Sequence, residues 1–207
     1  MRPHLFCVFN NSVTKAIRRS LTLALMHIVL VMLVLQAPQL ACAQTATDEY
    51  TVKAAFLFHF AQFVDWPSDA FNSGDQSLNL CIFDDEPHRQ ELQSALEGKR
   101  IGARVVHVRL LHQTQHVQGC SILFIGQDEG RRQTAALRNL RGQPVLTVGE
   151  SDNFISEGGI IRLYLVQDRI RFDINVGAAD SSHLEISSRL LLLASSVTLG
   201  DQAKGGQ

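Results

Sequence analysis

LNLCIFDDEPHRQELQSALEG (78–98) changes its period halfway along, and the whole fold follows from that change. LNLCIFDD (78–85) is a short apolar run closed by acids, the pattern of a buried strand. Asp85 stands at a helix N-cap position, Pro87 just inside, and Leu92, Ala95 and Leu96 at helical spacing before Gly98. Early proline and terminal glycine are the asymmetric punctuation of a helix. A strand leading straight into a helix is half of a parallel crossover unit. The alternation continues downstream. RVVHVRLL (104–111) alternates as a strand and CSILFIG (120–126) is a second buried run. Asp128 caps a helix through Ala136, Leu137 and Leu140 that ends at Gly142, and PVLTVGE (144–150) is a further strand. Strand–helix–strand repetition predicts an α/β fold: a single-domain three-layer sandwich with a mainly parallel central sheet.

The end of the chain departs from this style. IIRLYLV and RIRFDIN flank Gln167-Asp168 and predict a C-terminal antiparallel hairpin. A two-residue turn sets Arg162 opposite Asp173 and Tyr164 opposite Arg171. One face, Ile161, Leu163, Leu165, Ile170, Phe172 and Ile174, then suits a core. The other carries Arg162, Tyr164, Arg169, Arg171, Asp173 and Asn175. A last helix is expected through SRLLLLASSV (188–197), capped by Ser182 with Glu185 three on, or by Ser187.

The start of the chain is not fold. Arg2, Lys15, Arg18 and Arg19 precede LTLALMHIVLVMLVL (21–35), and Ala41-Cys42-Ala43 follows. Basic, apolar and small-residue segments in that order are a secretory signal, with cleavage expected between Ala43 and Gln44. The apolar run is short of the roughly twenty residues of a membrane span. Gln39 stands where a lipoprotein signal needs an aliphatic residue, and the very apolar run outweighs the Arg18-Arg19 hint of a twin-arginine signal. Residues 44–200 form the expected domain, and 201–207 a disordered tail.

Removal of the leader takes four cations and no anions. The 19 cations and 20 anions of the full chain become 15 against 20, a formal charge of −5. No basic stripe remains to neutralise a phosphate backbone, which argues against nucleic acid. Cys7 and Cys42 leave with the signal, so Cys81 and Cys120 are the remaining pair, expected to bridge in an oxidising compartment.

Chemistry is hard to find. The predicted strand ends are acidic: Asp84, Asp85 and Glu86, then Asp128 and Glu129, then Glu150 and Asp152. With no G-x-G-x-x-G and no Walker loop, nucleotide phosphates would meet repulsion there. The acids read as helix caps and loop solvation in preference to a Mg²⁺ site. His107, His112 and His116 lie within ten residues, but no cysteine or carboxylate at ligand spacing completes a metal set. No G-x-S-x-G is present, and Ser187-Ser188 open a helix. The expectation is a protein that is not an enzyme and needs no cofactor or metal.

The aromatic-rich FLFHFAQFVDWP (56–67) belongs to a helix over 50–66. Tyr50, Val52, Ala54, Phe56, Leu57, Phe60, Ala61, Phe63 and Val64 fill one wide arc that covers a sheet face. Lys53 falls inside that arc and must snorkel or find an anion. Phe58 points away from it, and Trp66 stands before Pro67, where the helix must stop. With the Arg/Tyr face of the hairpin these compose an interface, so the candidate partner-binding residues are Lys53, Phe58, Trp66, Arg162, Tyr164, Arg169 and Arg171.

YTVKAAFLFHFAQFVDWP (50–67), the paired Cys81 and Cys120, GCSILFIG, VLTVGESDNF with Gly158-Gly159, RFDIN and ISSRLLLLA together resemble the YfiR-like family of periplasmic regulators. The resemblance covers about 50–197. It implies a soluble periplasmic protein that binds the periplasmic domain of an inner-membrane diguanylate cyclase and represses it, limiting cyclic di-GMP and biofilm. It also implies an outer-membrane lipoprotein that can sequester the repressor, and loss of repression when the disulfide is reduced. A second disulfide of some members, near the Gly-Gly turn, has no cysteines here. A periplasmic small-molecule-binding accessory module is the alternative. Oligomeric state is open, with a homodimer among the outcomes.

Overall fold

The structure is a computed structural model and describes Met26 and residues 40–71, 77–83, 88–112 and 116–199. Nearly all of the expected leader, the tail, the acids Asp84 to Glu86 and the cap at Asp85 lie outside the described residues. The chain divides into two compact units, Met1–Ala46 and Thr47–Gln207. The first is described only at Met26 and at the start of the first helix. Everything below concerns the second.

In chain order the elements are α1 (Leu40–Gln62), β1 (Val64–Asp65), β2 (Ser77–Phe83), α2 (His88–Leu96), β3 (Arg100–Ile101) and β4 (Arg104–Leu110). Then come β5 (Ile122–Ile125), α3 (Gly130–Asn139), β6 (Leu146–Gly149), β7 (Ile161–Val166) and β8 (Arg169–Asn175). The chain ends with α4 (Val176–Ser181), β9 (Glu185–Ile186), α5 (Ser188–Leu191) and β10 (Ser196–Thr198). Eight strands form one sheet in the order β10-β8-β7-β6-β5-β2-β4-β3, and β1 pairs with β9 apart from it. Within the large sheet only β3–β4 and β7–β8 are antiparallel.

Side-chain alternation sorts each central strand onto two cores. Leu80, Ile82, Ile122, Phe124, Leu146 and Val148 meet α1 residues Leu57 and Phe60 and α2 residues Leu92 and Leu96. Cys81, Phe83, Leu123 and Ile125 meet Ala136 and Leu137 of α3 on the other face. The expected three layers result. From β2 to β4 the chain steps one way along the sheet and from β5 to β6 the other way, so a single crossover hand requires α2 and α3 on opposite faces. The disulfide Cys81–Cys120 spans a Cα separation of 5.8 Å and ties β2 to the entry of its neighbour β5.

The hairpin register is as expected, Arg162 opposite Asp173 and Tyr164 opposite Arg171. Gln167 and Asp168 both adopt positive φ, 51° and 58°, the primed turn that matches strand twist. Its tip overshoots the core. Leu165, expected inside, is 47% exposed, while Ile161, Leu163, Phe172 and Ile174 are buried.

Three expectations are corrected. The helix after β5 starts from Glu129 and not from an Asp128 cap, and it has no side-chain cap bond. The run SRLLLLASSV is a single turn, capped by Ser187 accepting from Arg189 N, and then a strand. Pairing of Ser196–Thr198 with β8 overrides the helix propensity of four leucines. Ser182 lies at the C-terminal end of α4, a six-residue helix capped by the Asn175 side chain that the sequence reading missed. β3 is likewise too short to be read from periodicity.

Candidate functional site

Lys53 sits within the apolar arc of α1, 6% exposed, and it does find anions. Its Nζ lies 2.7 Å from Glu49 Oε1, one helical turn back, and 2.6 Å from Glu150 Oε1, just beyond the carboxyl end of β6. The same ammonium stands 4.1 Å from the Tyr50 ring centre, and that ring stacks on His88 at 4.1 Å with planes 10° apart. Burial pulls the Lys53 pKa down, but the Glu150 and Glu49 carboxylates outweigh it and hold the group above its ordinary 10.5. Lys53 is therefore a fixed cation that ties the middle of α1 to the carboxyl end of β6.

Glu150 is in place because of the segment that follows it. Phe154 is fully buried between two glycines. A Cβ at Gly149 or at Gly159 would come within 2.2 Å of its ring. Both positions must lack a side chain. The fully buried Gln133 of α3 ties the same segment down, accepting from Ser151 Oγ and donating to Asn153 Oδ1 and Glu157 Oε2. Gly149, Phe154 and Gly159 thus read as one clamp that sets Glu150 and Asp152 at the sheet's carboxyl edge.

Arg162 of β7 pairs with Asp152, lies 3.9 Å from Asp173, and stacks 4.7 Å above the Tyr164 ring. Tyr164 donates its hydroxyl to Asp173 Oδ1 at 3.1 Å. Lys53, Glu150, Asp152, Arg162 and Tyr164 together line a cavity of about 240 Å³. The fold thus gathers three of the seven residues singled out from sequence. Arg169 and Arg171 are exposed further along the hairpin.

Phe58 and Trp66 go elsewhere. Phe58 is half-buried against the α1 side of the core, with Lys99 Nζ 5.5 Å from its ring centre. Trp66 meets Phe71 edge-on at 6.1 Å, and the Arg104 guanidinium lies 3.4 Å above Phe71. Trp66, Phe71 and Arg104 line a second, open cavity of about 640 Å³ beside the β3–β4 hairpin. Among the described residues the buried Trp66 Nε1 has no acceptor.

The groups weighed for chemistry are drawn into separate partnerships. Glu129 pairs with Arg132 at 3.0 Å, and Glu150 belongs to Lys53. His107 Nδ1 meets Glu97 Oε1 at 3.2 Å, and Arg89 Nη1 donates to His112 Nδ1 at 3.0 Å. Among the described residues no cluster of three His, Cys, Asp or Glu could hold a metal. No described helix is long and apolar enough to cross a membrane.

Sequence reasoning missed Glu49, although its i, i+4 spacing to Lys53 was a signal. His88, Lys99, Arg104 and Gln133 left none, because each is brought to its partner only by the packing of separate elements.

Fold and site define a class: a single α/β domain, disulfide-stapled, with a mainly parallel sheet and an internally paired charge cluster at its carboxyl edge. The chain belongs to the YfiR/HmsC-like family, whose model matches residues 50–195. Among solved structures it is similar to a conserved domain protein from Vibrio cholerae O1 biovar El Tor strain N16961. That likeness has 10% identity and a TM-score of 0.47, covering 72% of this chain and 60% of that one. No curated protein matches the chain.

Proposed function

We propose that this protein is an exported regulator that docks on the periplasmic domain of an inner-membrane diguanylate cyclase and holds it inactive. The observation that carries the proposal is family membership over residues 50–195, almost the whole domain. The site is compatible with it. A lysine held by two carboxylates is a poor nucleophile or base at neutral pH, whereas the exposed Arg169 and Arg171 beside Tyr164 suit an interface. Repression then needs only tighter binding to the inactive cyclase conformation than to the active one. An outer-membrane lipoprotein competing for the regulator would relieve it. Export through a signal cleaved after Ala43 is part of the proposal.

Deletion of the gene in a strain that carries the cognate cyclase should raise cyclic di-GMP and surface attachment. Unchanged levels of both would overturn the reading. Arg171→Glu, at an exposed position, should weaken cyclase co-purification while leaving the melting temperature unaltered.

The 640 Å³ cavity beside Trp66 favours a second reading, a small-molecule-binding accessory module. A thermal-shift screen in which one metabolite raises the melting temperature, paired with normal cyclic di-GMP in the deletion strain, would select it.

A further inference from the structure

Helix α3 carries charge of one sign only. From Gly130 to Gly149 the chain has four arginines, Arg131, Arg132, Arg138 and Arg141, and no Asp, Glu or Lys. Arg132 pairs with Glu129 at the helix start. Arg131 and Arg138 are two turns apart and share a face, which Arg141 extends just past the helix end. All three are exposed, and among the described residues none of them meets an acid. Helix stability does not account for this arrangement. A cation in the first turn opposes the helix dipole, and α3 has no acid there. Ala135 and Thr134 stand where acids four residues from Arg131 and Arg138 would pair with them. In a chain whose expected mature form has a formal charge of −5, the helix is a local reversal of sign.

Arg141 also lines a cavity of about 240 Å³ between α3 and α4. The rest of the lining includes the buried Leu137, Leu140 and Val145, with Ala178 and Ser181 of α4. Glu157 is the acid on this lining, and its oxygens are already taken. They accept from Gln133 Nε2 at 3.0 Å, from Thr134 Oγ1 at 2.9 Å and from Asn153 Nδ2. A largely apolar lining with one free guanidinium suits a single anchoring side chain from another chain.

We infer that the arginine face of α3 and the adjoining cavity dock an acidic segment of a partner protein. Carboxylates of that segment pair with Arg131, Arg138 and Arg141, and one apolar side chain enters the cavity. Arginine suits this task because its planar fork takes a carboxylate through two parallel hydrogen bonds. The face runs about 15 Å along α3, a span covered by about five extended residues. Complementary charge is what selects an acidic polypeptide. A lipid surface fits less well. A helix that lies on a bilayer inserts large apolar side chains, and among the described residues none between 128 and 160 is exposed. The contact is small, so binding of an isolated segment should be weak. The inference goes beyond the proposed regulatory role. Arg169 and Arg171 lie on the β8 strand of the hairpin, a different element, so either surface can fail without the other.

Fluorescence anisotropy of the purified protein tests it with a short labelled peptide in which glutamates flank one phenylalanine. The natural chain should bind it with a dissociation constant of about 10–100 µM at low salt. The double variant Arg138→Gln/Arg141→Gln should bind about tenfold more weakly. Both side chains are exposed, so this variant should keep its melting temperature. A peptide with glycine for the phenylalanine should also lose about tenfold. Arg169→Gln/Arg171→Gln, the same charge change on the hairpin, should bind like the natural chain. Four results would overturn the inference. One is no binding by the natural chain, and another is equal binding by the α3 variant. The third is equal binding of the peptide that lacks phenylalanine, which would leave only unspecific attraction of charge. The fourth is flotation with phosphatidylglycerol vesicles that the α3 variant loses, which would make the face a lipid-binding one.

Discussion

Lys53 is a charged group placed where the helix pattern asks for an apolar one, and it is tolerated there only because Glu49 and Glu150 reach it. Taking away one partner of a buried ion pair leaves an uncompensated charge, which commonly costs about 3–5 kcal/mol. Lys53→Met should therefore destabilise the domain by about 3 kcal/mol, measured by urea unfolding. Adding Glu150→Gln to that variant should recover about 1 kcal/mol or more, because the stranded carboxylate is removed. Additive losses would mean that the pair is not coupled. The pH dependence has a defined sign. The folded-state pKa of Lys53 is raised, so its contribution is complete below the ordinary value of 10.5 and fades as pH climbs through the higher folded value. The stability difference between the natural chain and Lys53→Met should accordingly narrow as the solution turns strongly alkaline. Sequence alone announced this residue as anomalous and could not say which acid answers it, since Glu150 lies on a different element.

At the scale of elements the decisive feature is the segment between β6 and β7. It carries Glu150 and Asp152, and its course is set by Phe154 held between Gly149 and Gly159. Overpacking a filled core typically costs about 1–3 kcal/mol, and here the added methyl meets a rigid ring. Gly149→Ala should fall in the upper part of that range, and Phe154→Leu should partly rescue it by removing the atoms that clash. Calorimetry of the single and double variants decides the matter, and a Gly149→Ala protein as stable as the natural one would dismiss the clamp. The glycines were visible in sequence as part of VLTVGESDNF and Gly158-Gly159, but only as pieces of the family resemblance. Their steric reason appears only when β6 and β7 lie side by side. The last helix shows the reverse case. Four leucines in a row favour a helix locally, yet β8 offers Ser196 to Thr198 a strand partner, and pairing across the sheet wins.

For the molecule as a whole the disulfide closes the β2–α2–β4 unit against β5, joining cysteines 39 positions apart in sequence. On the chain-entropy account a loop of that length contributes about 4 kcal/mol, and removal of a native bridge commonly costs about 2–5 kcal/mol. Cys81→Ala/Cys120→Ala should lower the unfolding free energy by an amount in that range. Both cysteines are buried, Cys81 fully, so reduction of the native protein by a mild thiol should be slow and should accelerate with denaturant. Rapid reduction without unfolding would show that the bridge is accessible after all.

The sequence by itself determined the α/β class, the parallel core, the hairpin with its register, the cysteine pair and the stretch of helix that carries the aromatics. These rest on local signals: periodicity, turn residues and the alternation of strand with helix. Only the tertiary structure decided how the singled-out residues divide. Lys53, Arg162 and Tyr164 share one cavity, while Phe58 and Trp66 turn toward Lys99, Arg104 and Phe71. It also decided which leucines the core accepts and which stand on the open edge of β10. Spacing along a chain fixes which residues share a face of one element, but the neighbours of that face come from strand order, which nonlocal packing sets.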